Sequence, residues 1–261
     1  MDYPDNVLKY NRDAWNSQVA NENQWTLPVT SEQIQQARQG NWEIVLTPIK
    51  PVPRDWFPNF GANETKVLCL ASGGGQQGPI LAAAGAIVTV FDNSEAQLQQ
   101  DEMVAERDGL QIATEQGDMA DLSRFSDENF DLIFHPCSNC FVPDVIPVWK
   151  ECYRVLKPAG SLLAGFTNPV RYMFDDELLE EGEMEVKYTI PYSDISSIDQ
   201  RLRTKFINEN EPIAFGHTLT DQIAGQLNAG FKLAGFFEDG YEKDDRLSNF
   251  IDTFIATRAI K

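Results

Sequence analysis

Residues 66–92, KVLCLASGGGQQGPILAAAGAIVTVFD, constrain the fold more than any other stretch of the chain. The apolar run 67–71 breaks into Ser72, Gly73, Gly74 and Gly75, a small-residue helical pattern covers 77–84, and a second apolar run ends on Asp92. This is the pattern of a β-α-β unit. Glycines let the backbone turn sharply and approach a ligand with no Cβ in the way, and the N–H groups that open the helix point out above the loop. A carboxylate closing the second strand can accept from both hydroxyls of a ribose. A nucleoside-bearing cofactor is expected over this loop.

Gly73, Gly75 and Gly78 followed by Asp92 also satisfy the dinucleotide fingerprint, so the loop alone does not select the cofactor. The motifs downstream of Asp92 do. Gly117-Asp118-Met119 comes after a third strand (111–116), Phe130-Asp131-Leu132-Ile133 lies on a fourth (129–134), and Arg154-Val155-Leu156-Lys157-Pro158-Ala159-Gly160 leads into a fifth (161–166). In this order the motifs resemble the class I S-adenosylmethionine-dependent methyltransferases, in particular the broad small-molecule group that includes the ubiquinone/menaquinone methyltransferase-like enzymes. The resemblance covers residues 66–167, with a weaker echo at Ala229-Gly230-Phe231. One departure stands in the first motif. The family places an acid two residues before the first of three alternate glycines, where this chain has Cys69, Ala71, Gly73 and Gly75.

The resemblance implies an α/β, doubly wound, Rossmann-like sheet of seven strands in the order 3-2-1-4-5-7-6, the last strand antiparallel. It also implies S-adenosyl-L-methionine as cofactor, S-adenosyl-L-homocysteine as product, and no metal. Carried over residue by residue, Ala71, Ser72, Gly73, Gly74 and Gly75 line the cofactor. Asp92 and Asn93 belong to the ribose turn, Gln97 lies near the adenine, the Asp118 carboxylate accepts from the adenine amine and the Met119 N–H donates to the ring. His135, at the end of strand four, falls where such enzymes line the sulfonium and the acceptor, and is the candidate base or pocket residue. The segment 135–140, HPCSNC, is not the Asn/Asp-Pro-Pro-aromatic motif of enzymes that methylate adenine or glutamine nitrogen.

At 261 residues, 42% of them hydrophobic, the chain fits one catalytic domain with elaborations. Twenty-one basic residues against 40 acidic ones give a net charge of −19, which opposes approach to a phosphate backbone. No nucleic-acid partner is expected. The acidic start (residues 1–5) lacks the features of a signal peptide, and no apolar run reaches the roughly 18 residues of a membrane span, so a cytoplasmic protein without a membrane partner is expected. Cys69, Cys137, Cys140 and Cys152 are expected to be reduced, and a lone C-x-x-C makes a poor zinc site. The oligomeric state is left open.

Residues 1–60 lie outside the β-α-β pattern and carry Trp15, Trp25, Trp42 and Trp56, four of the five tryptophans. Two helices are expected there, at 10–19 and at 31–39 with Ser31 as N-cap, forming either a packed flank or a lid over the acceptor. Residues 61–261 form the expected methyltransferase domain, with an inserted cap at about 168–216. Loops at the C-terminal ends of strands form the ligand crevice of such sheets, which makes Trp25, Trp56, Asn139, Arg171 and Tyr172 the candidate acceptor contacts. Two closing strands, 231–238 and 250–258, suit this sheet and oppose the alternative of an NAD(P)-linked oxidoreductase. The other alternative is a methyltransferase-like binding protein without catalysis, which Cys69 and Ala71 keep open. The expected activity is in-line methyl transfer to a small-molecule acceptor.

Overall fold

The computed structural model describes residues 6–61, 64–241 and 245–261. The acidic start at residues 1–5 and part of the loop after Gly240 lie outside the described residues. Before the sheet come α1 (Val7–Ala20) and α2 (Ser31–Arg38). The α2 cap is Thr30, not Ser31: the Thr30 hydroxyl accepts from Gln33 N while Gln33 Oε1 accepts from Thr30 N, a reciprocal capping box that a Ser31 cap could not close with Gln33.

Next come β1 (Lys66–Leu70), α3 (Gln77–Ala83), β2 (Ile87–Asp92), α4 (Glu95–Asp108), β3 (Ile112–Gln116), β4 (Phe130–His135), α5 (Ile146–Val155) and β5 (Leu156–Thr167). The segment beyond β5 holds α6 (Asp176–Glu181), a two-stranded β6 (Tyr192–Ser193) and β7 (Phe215–Gly216) pair, and α7 (Gln200–Glu209) between them. The chain returns through a π-helical turn, Thr220–Ala224, then α8 (Gly225–Ala229), β8 (Lys232–Asp239) and β9 (Phe254–Ile260).

The main sheet runs β3-β2-β1-β4-β5-β9-β8. The first five of these pair in parallel, and β9 is antiparallel to both β5 and β8. This is the expected order, and it departs from the six parallel strands of a dinucleotide dehydrogenase. β1 shows why the core sequence folds this way. Its side chains alternate between two apolar layers, Val67 and Cys69 packing with α2, α3 and the N-terminal segment, Leu68 and Leu70 with α5. A strand covered on both faces reads as a continuous apolar run, and that is what made it visible. The register Val67↔Val88 and Val67↔Leu132 then brings the ends of β1, β2 and β4 level at one rim.

The helices follow from local chemistry. Ser94 caps α4, its hydroxyl accepting from Gln97 N at 3.1 Å. On α5, Val148, Trp149, Cys152 and Val155 recur at helical spacing and are all buried. β9 starts at Phe254, four residues later than expected at 250, because the chain first makes a short turn at Leu247–Asn249.

Candidate active site

The C-terminal ends of β1 to β5, α1 and the segment after β5 enclose one cavity of about 640 Å³. Of the expected cofactor residues, Ala71, Ser72, Gly73, Asp92, Asn93, Gln97, Asp118 and Met119 lie on its wall. Gly73 must be a glycine here, since a Cβ would stand 2.7 Å from the Gln97 Cβ and 3.2 Å from an Asp92 oxygen. Asp92 braces the loop: Oδ2 accepts from Gly73 N at 3.0 Å and Oδ1 from Ser94 N at 2.8 Å. Burial raises its pKa, and the backbone donors oppose that rise. Asp118 also accepts from Ala120 N, at 2.9 Å, so it shapes its own turn while facing the cavity.

Gly74 and Gly75 correct the expectation of a five-residue cradle. They are not on the cavity wall; their N–H groups both donate to Asp101 Oδ2, at 3.0 and 3.1 Å, beneath the loop. Asp101 is fully buried on α4, and burial, with the nearby Asp92 adding to it, raises its carboxyl to about 8. The loop that lacks an acid at Cys69 thus takes one from α4. The folded protein retains a proton there that the unfolded chain releases near pH 4, so the stability linked to Asp101 is lost as pH rises from about 4 to about 8. Asp101→Asn keeps an acceptor for both glycines and should melt near wild type with a flatter pH dependence across that window. Asp101→Ala leaves Gly75 N without its acceptor, while Gly74 N keeps Gln97 O at 3.0 Å, and should cost about 1–3 kcal/mol in denaturant melts.

α1 roofs the turn at Asn93 and Ser94 through side chains that sequence reading did not single out. Asn93 Nδ2 donates to Leu8 O at 2.8 Å, Arg12 Nε donates to Asn93 Oδ1 at 3.1 Å, and Ser94 Oγ donates to Asn16 Oδ1 at 2.7 Å. Asn11 then ties the helix to Phe141 and Ile213 by three hydrogen bonds of 2.8–3.1 Å. Polar residues on the buried side of an N-terminal helix were the available signal.

Three further expectations are corrected. His135 is 0% exposed and off the cavity wall: its Nδ1–H donates to Leu70 O at 2.9 Å and its ring meets Trp149 edge-on. Burial lowers its pKa to about 4 despite that hydrogen bond, which leaves a neutral imidazole inside the α5 layer. Strand alternation is the cause, since His135 shares the face of Ile133, which belongs to that layer. Asn139 is also buried, in a reciprocal amide pair with Gln222 (3.0 and 3.1 Å). Trp56 packs against Phe237, with ring centroids 5.4 Å apart, and fills the space over Gly235, away from the cavity.

From the segment after β4, Pro136, Cys137, Ser138 and Cys140 do reach the cavity. All four cysteines are free, and burial raises the thiols of Cys137 and Cys140, the latter to about 12, so both stay protonated near neutrality. Among the described residues no cluster of three or more His, Cys, Asp or Glu could hold a metal. No helix among them is long and apolar enough to cross a membrane.

Trp25, 41% exposed, lies on the cavity wall with Arg171 and Tyr172. Arg171 is held by Asp245 at 2.7 Å and Asp176 at 2.9 Å. Tyr188, Tyr192 and Asp194, which carry no motif, complete that end of the wall.

The methyltransferase domain family matches residues 68–164. Over 257 residues, 98% of each chain, the sequence is 53% identical to the protein called "Uncharacterized methyltransferase YbaJ" of Bacillus subtilis (strain 168). It is 30% identical over 134 residues to the ubiquinone biosynthesis O-methyltransferase of Pseudomonas savastanoi pv. phaseolicola, covering 49% of this chain and 57% of that one. An S-adenosylmethionine-dependent methyltransferase from Mesorhizobium loti shares the fold at a TM-score of 0.58 and 19% identity, covering 80% of this chain and 95% of that one. With its sheet order and its glycine loop at one rim, the chain belongs to the class I S-adenosylmethionine-dependent methyltransferases.

Proposed function

We propose that the chain transfers a methyl group from S-adenosylmethionine to a small molecule held in the same cavity, by in-line displacement. The observation that carries this reading is the single cavity that joins the ribose turn at Asp92 to the tyrosine-lined end beyond β5. Its volume of about 640 Å³ lies within the range of roughly 300–1,000 Å³ typical of small-ligand sites. The residues present fit the cofactor. Asp92 keeps lone pairs beyond those given to Gly73 and Ser94, and Asp118 and Met119 line the same cavity.

When bound, the cofactor supplies an activated methyl electrophile. The protein's part is then alignment and exclusion of water, worth on the order of 7–11 kcal/mol when the reacting atoms are held in register. α1, fastened to Asn93 and Ser94, closes the ribose side. Thr167, Cys137 and Cys140 line the cavity, Thr167 and Cys140 beside Tyr172, and the raised thiol pKa values keep both cysteines protonated and out of the reaction as nucleophiles. With His135 off the wall, the turnover of a proton-losing acceptor should show no histidine-like limb from that residue.

S-adenosylhomocysteine at about 100 times its Kd should stabilise the protein by about 2.7 kcal/mol, seen as a rise in melting temperature. NAD at the same concentration should leave it unchanged. A shift with NAD and none with S-adenosylhomocysteine would overturn the reading.

A further inference from the structure

We propose that the methyl acceptor carries an ammonium group on an apolar body, the ammonium sitting between Asp194 and the rings of Tyr172 and Tyr192, while a separate uncharged atom with a free lone pair takes the methyl and the sulfonium leaves as the neutral thioether. This inference rests on the methyl-transfer reading and names the class of molecule that reading requires. Tyr172 stacks on Tyr192 with centroids 5.3 Å apart, Tyr188 meets Tyr192 edge-on at 5.4 Å, and Lys187 Nζ already stands 5.4 Å from the Tyr188 ring centroid, so that end of the cavity is walled by aromatic side chains of which Tyr188 already faces a cation. Ring faces carry negative potential and attract cations, more strongly where water is excluded.

Asp194 lies in the same wall and is 4% exposed. Its oxygens accept from Tyr192 Oη at 2.7 Å and Ala214 N at 2.6 Å, both neutral donors, and each oxygen retains a further lone pair. Burial raises its carboxyl to about 6, a cost that an opposite charge in the cavity would offset. The cations on the wall are already engaged, Arg171 with Asp176 and Asp245, Lys205 with Glu177 at 2.9 Å. Glu209 and Glu211 add negative charge nearby on the wall. An anionic acceptor would enter against this field.

Within this end of the cavity the aromatic side chains take the apolar body of the ligand and Asp194 takes its charge.

The test uses the full chain saturated with S-adenosylhomocysteine and three probes of one shape, 2-phenylethylamine, 2-phenylethanol and phenylacetate, titrated calorimetrically. The amine should bind about tenfold tighter than the alcohol, with phenylacetate weakest. Asp194→Asn should remove most of the amine's advantage while leaving the affinities for the alcohol and for S-adenosylhomocysteine unchanged. If that variant does not fold, the order of the three probes on the wild-type protein decides alone. Equal or tighter binding of phenylacetate, or no amine binding at millimolar concentration, overturns the inference while leaving methyl transfer standing. Failure of S-adenosylhomocysteine itself to bind fells both.

Discussion

Asp92→Ala is expected to weaken S-adenosylhomocysteine binding by about 10- to 150-fold, the equivalent of about 1.5–3 kcal/mol for a desolvated charge-assisted acceptor. The expectation comes from the end of β2, where the carboxylate lies on the cavity wall and already holds Gly73 N and Ser94 N in place. Two losses therefore combine. The ribose loses its acceptor, and the glycine turn loses the brace that presents Ala71 and Ser72 to the ligand. Asp92→Asn, which retains one oxygen, should fall between the two proteins. Calorimetric titration on variants shown to be folded by circular dichroism separates affinity from stability. Unchanged affinity in folded Asp92→Ala would mean that the ribose sits elsewhere.

His135→Ala should act on stability, with a loss of about 2–5 kcal/mol in denaturant melts, because it empties a packed site against Trp149 and leaves the Leu70 carbonyl without its donor. Turnover per folded molecule should stay within a few-fold of wild type. The pH dependence has a definite sign. With the folded pKa depressed to about 4 and the unfolded value at 6.5, the contribution of His135 is complete above about pH 6.5 and is lost as pH falls from there towards 4. Linkage puts the full change at about 3 kcal/mol. Since Asp101 titrates with the opposite sign, the measurement is the wild-type stability minus that of His135→Gln at each pH. A fall in turnover of a hundredfold or more with unchanged melting would restore His135 as a base.

How much of this was legible in the sequence depends on where the physical information is local. β1 is buried on both faces and reads as a continuous apolar run, β4 is apolar but for Asp131 and the closing His135, and the glycine turn and Asp92 follow β1 and close β2, so the sheet order could be read directly. The orientation of single residues was harder. His135 sits beside a genuine cavity segment, yet strand alternation turns it to the opposite layer, a parity visible in Ile133 once the strand's end is fixed. Asp101 had a local signal as well: with Gln97, Leu98 and Val104 it falls on the buried stripe of α4, where a carboxylate needs donors. The partners of Asn139 and Asp194 carried no such signal. Gln222 is 83 residues from Asn139, and Ala214 is 20 from Asp194, distances that only the folded insertion closes.

The most direct test is a crystal structure of the protein with S-adenosylhomocysteine. The ribose hydroxyls should lie against Asp92, the adenine beside Gln97, Asp118 and Met119, and the homocysteine sulfur should point towards Cys137 and Cys140, with Gly74 and Gly75 still bonded to Asp101. Ligand bound outside this cavity, or a glycine loop that leaves Asp101 to turn the Gly74 and Gly75 N–H groups onto the ligand, would contradict the account.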